Sequence, residues 1–334
     1  MKLDAALMGS FAESGATARA LEAMGFDAAW SFEGPHDPFL PIALAARETE
    51  RLQLGTGIAV AFARNPMLCA QLANDLQILT RGRFLLGLGS QIQPHIEKRF
   101  GMPWSKPARR MREFVQAIRA IRKCWETGER LAFRGEFYTH TLMTPVFDPG
   151  PNPHGAPPIY LAGVGPAMVE VAGEVADGFL VHPLHTPGFL RAQTLPALER
   201  GLARAGRPRS AFAVSCQTIC VIGSSDEEVA RGRQKAKGQI SFYASTPAYK
   251  GVLEHHGYAS LQPELNQLSK QGRWLEMIGR IDDALLDLIC VSGRPAEVGR
   301  RLRERNQGFA ERTTPTLYNE TQPEAVADLV RAAR

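Results

Sequence analysis

Short runs of apolar and small residues alternate with longer stretches whose hydrophobic positions recur every three or four residues. The runs at residues 3–8, 27–32, 52–60 and 84–89 read as strands, separated by helical patterns at 11–24, 38–50 and 66–79. Gly25 stops the first helix, and Arg81-Gly82 makes a turn after the third. None of these runs alternates between apolar and polar positions, as expected of parallel strands covered on both faces. Residues 91–107 carry no clear period before a long helix that reaches Thr127, and the Gly- and Pro-rich residues 148–158 read as a surface loop. The rhythm resumes with strands at 158–162, 178–181 and 212–222 and helices at 166–176 and 190–204. Ser225-Asp-Glu-Glu228 is a capping box that opens a further helix. The pattern breaks over 241–279, then returns with a strand at 285–291, a helix at 295–304, a further candidate strand at 313–317 and a final helix behind Thr321-Gln-Pro-Glu324. Eight strand–helix repeats with insertions after strands four and seven predict a closed α/β fold, the (β/α)8 TIM barrel, over an open doubly wound sheet. The expected organisation is one barrel domain over residues 1–334, with an insertion loop at 91–107 and a lid or subunit contact at 241–279.

With 334 residues, 44% of them hydrophobic and 22% charged, the chain has globular composition and enough length for a sizeable core. Lys and Arg number 39 against 34 Asp and Glu, and the resulting +5 is spread out. The helix carrying Lys106, Arg109, Arg110, Arg112, Arg119, Arg122 and Lys123 is basic but lacks interleaved aromatics, so no nucleic-acid partner is expected. Asp4 interrupts what would be a signal peptide, and no run of about 18 apolar residues exists to span a membrane. The expected location is the cytoplasm. Five cysteines without a Cys-x-x-Cys predict neither a disulfide framework nor a zinc ribbon, and Cys216 and Cys220 share one strand face as core residues would. His182 and His185 have ligand-like spacing but no acidic or thiol neighbour, so no metal is expected.

A barrel places its chemistry at the carboxyl ends of its strands. There the chain carries Glu33-Gly-Pro-His36-Asp37 after strand two, Gly87-Leu-Gly-Ser90-Gln91 after strand four, Gly163-Val164-Gly165 after strand five and His182 after strand six. Gly163-Val164-Gly165 opens a helix, where free amides and the helix dipole favour a phosphate; the alternative is a tight turn without a ligand. Ile92 and Met168 stand where a Gly-x-Gly-x-x-Gly fingerprint needs its third glycine, no P-loop run exists, and no Gly-x-Ser-x-Gly elbow supports a hydrolase.

Leu54-Gly-Thr-Gly-Ile58, Gly82-Arg-Phe-Leu-Leu-Gly-Leu-Gly-Ser90, Ile159-Tyr-Leu-Ala-Gly-Val-Gly-Pro166, Ala176-Asp-Gly178 and Val291-Ser-Gly-Arg-Pro-Ala-Glu-Val298 occur in that order. In them the chain resembles the luciferase-like monooxygenase family, and within it most closely the deazaflavin-dependent oxidoreductases. The resemblance implies a barrel that binds coenzyme F420 or flavin mononucleotide (FMN). It implies a bulge with a non-prolyl cis peptide at or next to Gly57-Ile58, taking in Ala59, against the cofactor ring. It also implies phosphate contacts at Val164 and Gly165 beside Gly163, and Ser90 near the ring or ribityl chain. Deazaflavin dehydrogenases of the family commonly carry Asp-His after strand two; here the order is His36-Asp37, and His36 is the candidate catalytic group with Asp37 beside it. Histidine suits proton transfer near neutral pH. Sugar-phosphate-oxidising relatives carry glutamates where this chain has Met8-Gly9 and Ser90-Gln91, which points away from sugar oxidation and leaves reduction of an activated double bond, or oxygen chemistry.

The leading expectation is hydride transfer between coenzyme F420 and a small organic substrate. The alternatives are an FMN-dependent monooxygenase fed by a separate flavin reductase, and a non-catalytic flavin-binding protein. A homodimer or higher homo-oligomer is expected, with His182 touching cofactor or substrate.

Overall fold

The structure, a computed structural model, describes residues 1–334. Eight parallel strands form the barrel: β1 (Lys2–Ala6), β2 (Ala28–Ser31), β3 (Gln53–Thr56), β4 (Phe84–Gly89), β5 (Ile159–Ala162), β6 (Gly178–Val181), β7 (Ala213–Ile222) and β8 (Arg312–Leu317). They pair in chain order, and β8 returns to β1 through Lys2↔Arg312 and Leu3↔Thr313, which closes the tube. Around it stand α1 (Ser14–Met24), α2 (Phe39–Glu48), α3 (Pro66–Leu79), α4 (Pro107–Thr127), α5 (Pro166–Val175), α6 (Leu195–Arg204), α7 (Pro295–Asn306) and α8 (Pro323–Ala333). The outward residues of the strands, such as Leu3, Leu54, Leu86 and Phe179, pack against these helices in a continuous core of 58 buried residues.

The tube is filled separately. Trp30, Leu85, Tyr160 and Leu180 meet inside it as a floor. Beside them Arg312 donates to Asp4 from Nε (2.7 Å) and Nη2 (2.8 Å), and Trp30 Nε1 donates to the same carboxylate at 2.9 Å. This pair bridges the closing β8–β1 seam. The Trp30 ring fits because position 55 is glycine: a Cβ there would lie 2.5 Å from Trp30 Cζ3.

Two expectations for strands change. The run at 285–291 is not a strand but a helix, Asp283–Ile289, followed by a three-residue strand, Val291–Gly293, that pairs with the end of β7 outside the barrel. Asp282 caps that helix by accepting the Leu285 N–H at 2.7 Å, and Leu285, Leu286 and Ile289 share a buried face at helical spacing. The run at 52–60 is interrupted: β3 stops at Thr56, and Ala59–Val60 resumes the pairing with β4.

Between β7 and α7 the chain makes a helical excursion through Asp226–Ala244, Lys250–His255, Leu261–Lys270, Trp274–Gly279 and Asp283–Ile289. These helices enclose a second core that includes Ile240, Leu253, Leu265, Met277 and Leu286 and rests on Ile219 and Val221 of β7. The helix opened by the Ser225 box belongs to this excursion; α7 takes its place in the outer ring, against β7, β8 and α8. All five cysteines are buried and unpaired. No helix is long and apolar enough to cross a membrane.

Candidate active site at the barrel mouth

On the β2–β3 side the ladder with β4 runs Leu54↔Phe84 and Gly55↔Leu85, then Ala59↔Leu88 and Val60↔Gly89, so three residues of one strand face two of the other. That is a β-bulge, and within it the Gly57–Ile58 peptide is cis, where the family resemblance places one. Side chains replace the broken ladder. Thr56 Oγ1 donates to the Gly87 carbonyl (2.7 Å) and accepts the Gly87 N–H (3.0 Å). A Cβ at residue 87 would collide with the Thr56 carbonyl, so this approach requires glycine.

Glu33 clamps the bulge from above. Its N–H donates to the Ile58 carbonyl at 3.2 Å, and its carboxylate accepts the Val60 N–H at 2.6 Å. Arg64 then ties Glu33 (2.5 Å) to Asp37 (2.9 Å). Burial works against the Arg64 charge, but the two carboxylates outweigh it and hold its pKa above the ordinary value. Asp37 also accepts the N–H of Phe39, the first residue of α2, at 2.8 Å. Its carboxylate is thus committed twice, while His36 beside it is exposed, makes no hydrogen bond and lies 5.7 Å from the Phe11 ring. Ala59 is fully buried in the outer core.

On the β4–β5 side Ser90 Oγ donates to the Gln91 carbonyl at 3.1 Å. Gly163, Val164 and Gly165 form the turn into α5, whose first turn receives no side-chain cap. Gly163 must be small because Met168 Cγ lies 2.5 Å from where its Cβ would stand, whereas Gly165 faces open space. Val164, Gly165 and Pro166 line a cleft of about 560 Å³, closed on the far side by Gly251, Val252 and His255 of the excursion. A single π-helical stretch, Leu190–Thr194, precedes α6 and supplies Gln193 and Thr194 to its wall.

On the β6 side His182 Nδ1 accepts the Leu184 N–H at 3.1 Å, which leaves the ring proton of the neutral imidazole on Nε2. The ring stacks on Tyr249 at 4.3 Å and meets the edge of Tyr243 at 4.6 Å, and Tyr243 shares a 3.0 Å hydrogen bond with Tyr318 beyond β8. Burial depresses His182 to about 3, and burial with Arg305 nearby does the same to His185. No group of three side chains capable of holding a metal exists anywhere in the chain. Lys106 before α4 and most of the basic residues within it are committed: Lys106 and Arg109 to Glu136, Arg112 to Glu174, Arg119 to Asp177 and Lys123 to Glu129.

A model of the family described as luciferase-like monooxygenase matches residues 3–312. The chain belongs to this family. Its members are oxidoreductases and monooxygenases that use coenzyme F420 or FMN. This luciferase-like chain is 52% identical to an uncharacterized protein of Mycobacterium tuberculosis over 96% of its own length and 95% of that protein's. It is 29% identical to the 5,10-methylenetetrahydromethanopterin reductase of Archaeoglobus fulgidus, over 85% of this chain and 82% of the other. Among solved structures it superimposes on the coenzyme F420 dependent tetrahydromethanopterin reductase of Methanopyrus kandleri with a TM-score of 0.79 at 19% identity, covering 98% and 96% of the two chains. That likeness shows the fold.

The residues at the mouth fit a flat ring with a phosphorylated tail. The glycine-lined bulge offers a surface without projecting polar side chains, and the uncapped start of α5 opens onto the cleft with free space at Gly165. The sequence reading placed Glu33 at the mouth without giving it a role, expected Tyr243 and Tyr249 only as part of the lid or subunit contact at 241–279, and missed Arg64, which reaches the mouth only through tertiary contacts.

Proposed function

We propose that this luciferase-like barrel is a coenzyme F420-dependent oxidoreductase acting on a small organic substrate. What carries the reading is the alignment along one mouth of the clamped Gly57–Ile58 bulge and the uncapped α5 start at Gly165. The resemblance of the strand-end motifs to the deazaflavin-dependent oxidoreductases of the family supports the deazaflavin over FMN. When bound, the reduced deazaflavin supplies a hydride to a substrate carbon. His36 supplies the balancing proton to the neighbouring substrate atom; Asp37, held by Arg64 and the Phe39 amide, positions the loop that carries it. Ile58, braced by Glu33, would support the ring, with Ser90 beside it, and the amides of Gly163, Val164 and Gly165 would donate to phosphate oxygens. Tyr243 and Tyr249 bring the excursion down on His182 and limit water at the β6 side, so the segment 241–279 acts as a lid.

Titration of the purified protein with each cofactor, followed by fluorescence, tests the reading. Micromolar or tighter binding of the deazaflavin alone is expected. Preference for FMN replaces the reading with a flavin-dependent monooxygenase served by a separate reductase, and binding of neither removes it.

The partner is a second copy of the chain. Leu40 and Leu44 of α2 and Leu68, Leu72 and Leu79 of α3 are exposed at helical spacing, too many apolar side chains for a solvated face. Arg47 and Asp75, exposed on the same two helices and lacking ion-pair partners within the chain, offer opposite charges across a two-fold axis. Light scattering is expected to give a dimer for the natural chain and a monomer for Leu68→Asp/Leu72→Asp; a monomeric natural chain refutes the assignment.

A further inference from the structure

The lumen above the Trp30–Tyr160 floor has one polar wall. Side chains alternate along a strand, and Arg312 points inward to Asp4, so Thr314 and Thr316 point inward as well. The β7 register sets Ser215 beside Arg312, Gln217 beside Thr314 and Ile219 beside Thr316, which places Ser215 and Gln217 on the same inner face. The inward positions across the lumen are small: Ala6, Gly57 and Ala162 leave space facing this wall.

The polar groups of the wall have no partners. Ser215 Oγ, Thr314 Oγ1 and Thr316 Oγ1 are buried without a hydrogen bond, Thr314 being only 2% exposed. The Gln217 amide, half-buried at the lumen, makes none either. Buried polar atoms are seldom left unpaired, so this cluster marks a place where something else completes the pairing. His182 adds an Nε2–H donor at the end of the neighbouring strand, and its stacking on Tyr249 fixes the direction of the ring.

The wall is also uncharged. No Lys or Arg occupies an inward position on it above Arg312. That guanidinium is spent on Asp4 and on Gln53, to which Nη1 donates at 2.8 Å. A carboxylate or phosphate placed here would lose its hydration and find no opposite charge, whereas a carbonyl or hydroxyl oxygen would find donors at no such cost.

We propose that Gln217, Thr314 and Thr316 of β7 and β8, with His182, form the recognition wall for an uncharged substrate bearing carbonyl or hydroxyl oxygens, and reject its anionic counterparts. This inference rests on reading the mouth as the active site and names the substrate class for it. Gln217, level with Thr314 and one inward step deeper than Thr316, carries the longest side chain of the wall and sets specificity; the threonines accept and donate as the ligand requires.

The probes are cyclohex-2-enone and its anionic counterpart 3-oxocyclohex-1-ene-1-carboxylate, followed by saturation-transfer NMR on the whole protein with and without oxidised coenzyme F420. The enone is expected to bind at least tenfold more tightly than the carboxylate. Gln217→Ala and Thr316→Val are each expected to weaken the enone several-fold, Thr316→Ser to retain it, and Gln217→Lys to reverse the preference. Thermal melting of each variant separates loss of the wall from loss of the fold. Equal or tighter binding of the carboxylate, no binding of the enone, or unchanged enone affinity in a folded Gln217→Ala overturns the proposal. Cofactor titration of the same samples distinguishes the two failures. A carboxylate preference with intact cofactor binding sinks only the wall, while absence of cofactor binding sinks the oxidoreductase reading.

Discussion

On the β2–β3 side of the mouth a half-buried guanidinium, Arg64, is shared by two carboxylates, and an exposed imidazole, His36, stands next to one of them. On the β6–β8 side the His182 imidazole and three phenols pack together with no carboxylate among their direct partners, and the buried His185 ring pairs with the His182 carbonyl. The first arrangement fixes backbone: its hydrogen bonds end on the amides of Val60 and Phe39 and so hold the bulge and the start of α2. The second fixes side chains, and burial keeps them neutral. A single barrel thus separates a half organised by ion pairs near the surface from a half organised by packed, neutral rings. Parallel strands make this possible because each loop at the mouth is built on a different stave.

The sharpest way to break the contrast is to remove its charge. Arg64→Met leaves Glu33 and Asp37 unpaired, with the Glu33 side chain only 7% exposed. We expect a loss of about 3–5 kcal/mol in urea unfolding, because a buried carboxylate without its partner costs far more than the pair contributed. A loss below about 1 kcal/mol would mean that the clamp is solvated and that the two halves differ less than argued.

The neutral half is tested by pH. His182 and His185 are depressed from 6.5 to about 3 in the folded protein. The unfolded chain therefore binds two protons near pH 6.5 that the folded chain refuses, and stability falls as pH drops from about 6.5 toward 3. The expected slope is on the order of 1 kcal/mol per pH unit for each histidine, with no contribution above pH 7. His182→Asn should remove one share of that slope in a series of urea titrations. A slope that does not change would place His182 in water.

The smallest effect concerns the cleft between the halves. Gly165→Asp sets a negative side chain beside the α5 start, and nothing lies within 4 Å of its Cβ, so the barrel should fold normally. Cofactor affinity is expected to fall more than tenfold, about 1.4 kcal/mol. Unchanged affinity in the fluorescence titration would remove the phosphate from this turn.

Much of the barrel was legible because its signals are local. Continuous apolar runs, the Ser225 box and Gly25 each depend on a few neighbours in the chain, and eight of the nine expected strands became staves with ends shifted by a few residues, whereas the last helix starts behind Gln322 without the expected Thr321 cap. The run at 285–291 misled because a short apolar stretch suits a helix or a strand equally, and only the second core beneath Leu285, Leu286 and Ile289 decides. The extent of the excursion was misread for a related reason. The Asp226–Ala244 helix looks like any barrel helix until its neighbours are known.

By itself the sequence determined the closed α/β barrel and the glycine turn before α5, while the break at Gly57-Ile58 was implied only by the family resemblance, since the run at 52–60 reads as one strand. It could do so because periodicity, small residues and caps act over a few residues. Tertiary structure alone decided which charges pair and which histidines stay neutral. Asp4 meets Arg312 across 308 residues, Glu33 meets Arg64 across 31, and His182 is covered by Tyr249 from a different part of the chain. Burial and pairing depend on what the rest of the fold brings alongside, and that is where the local pattern stops carrying information.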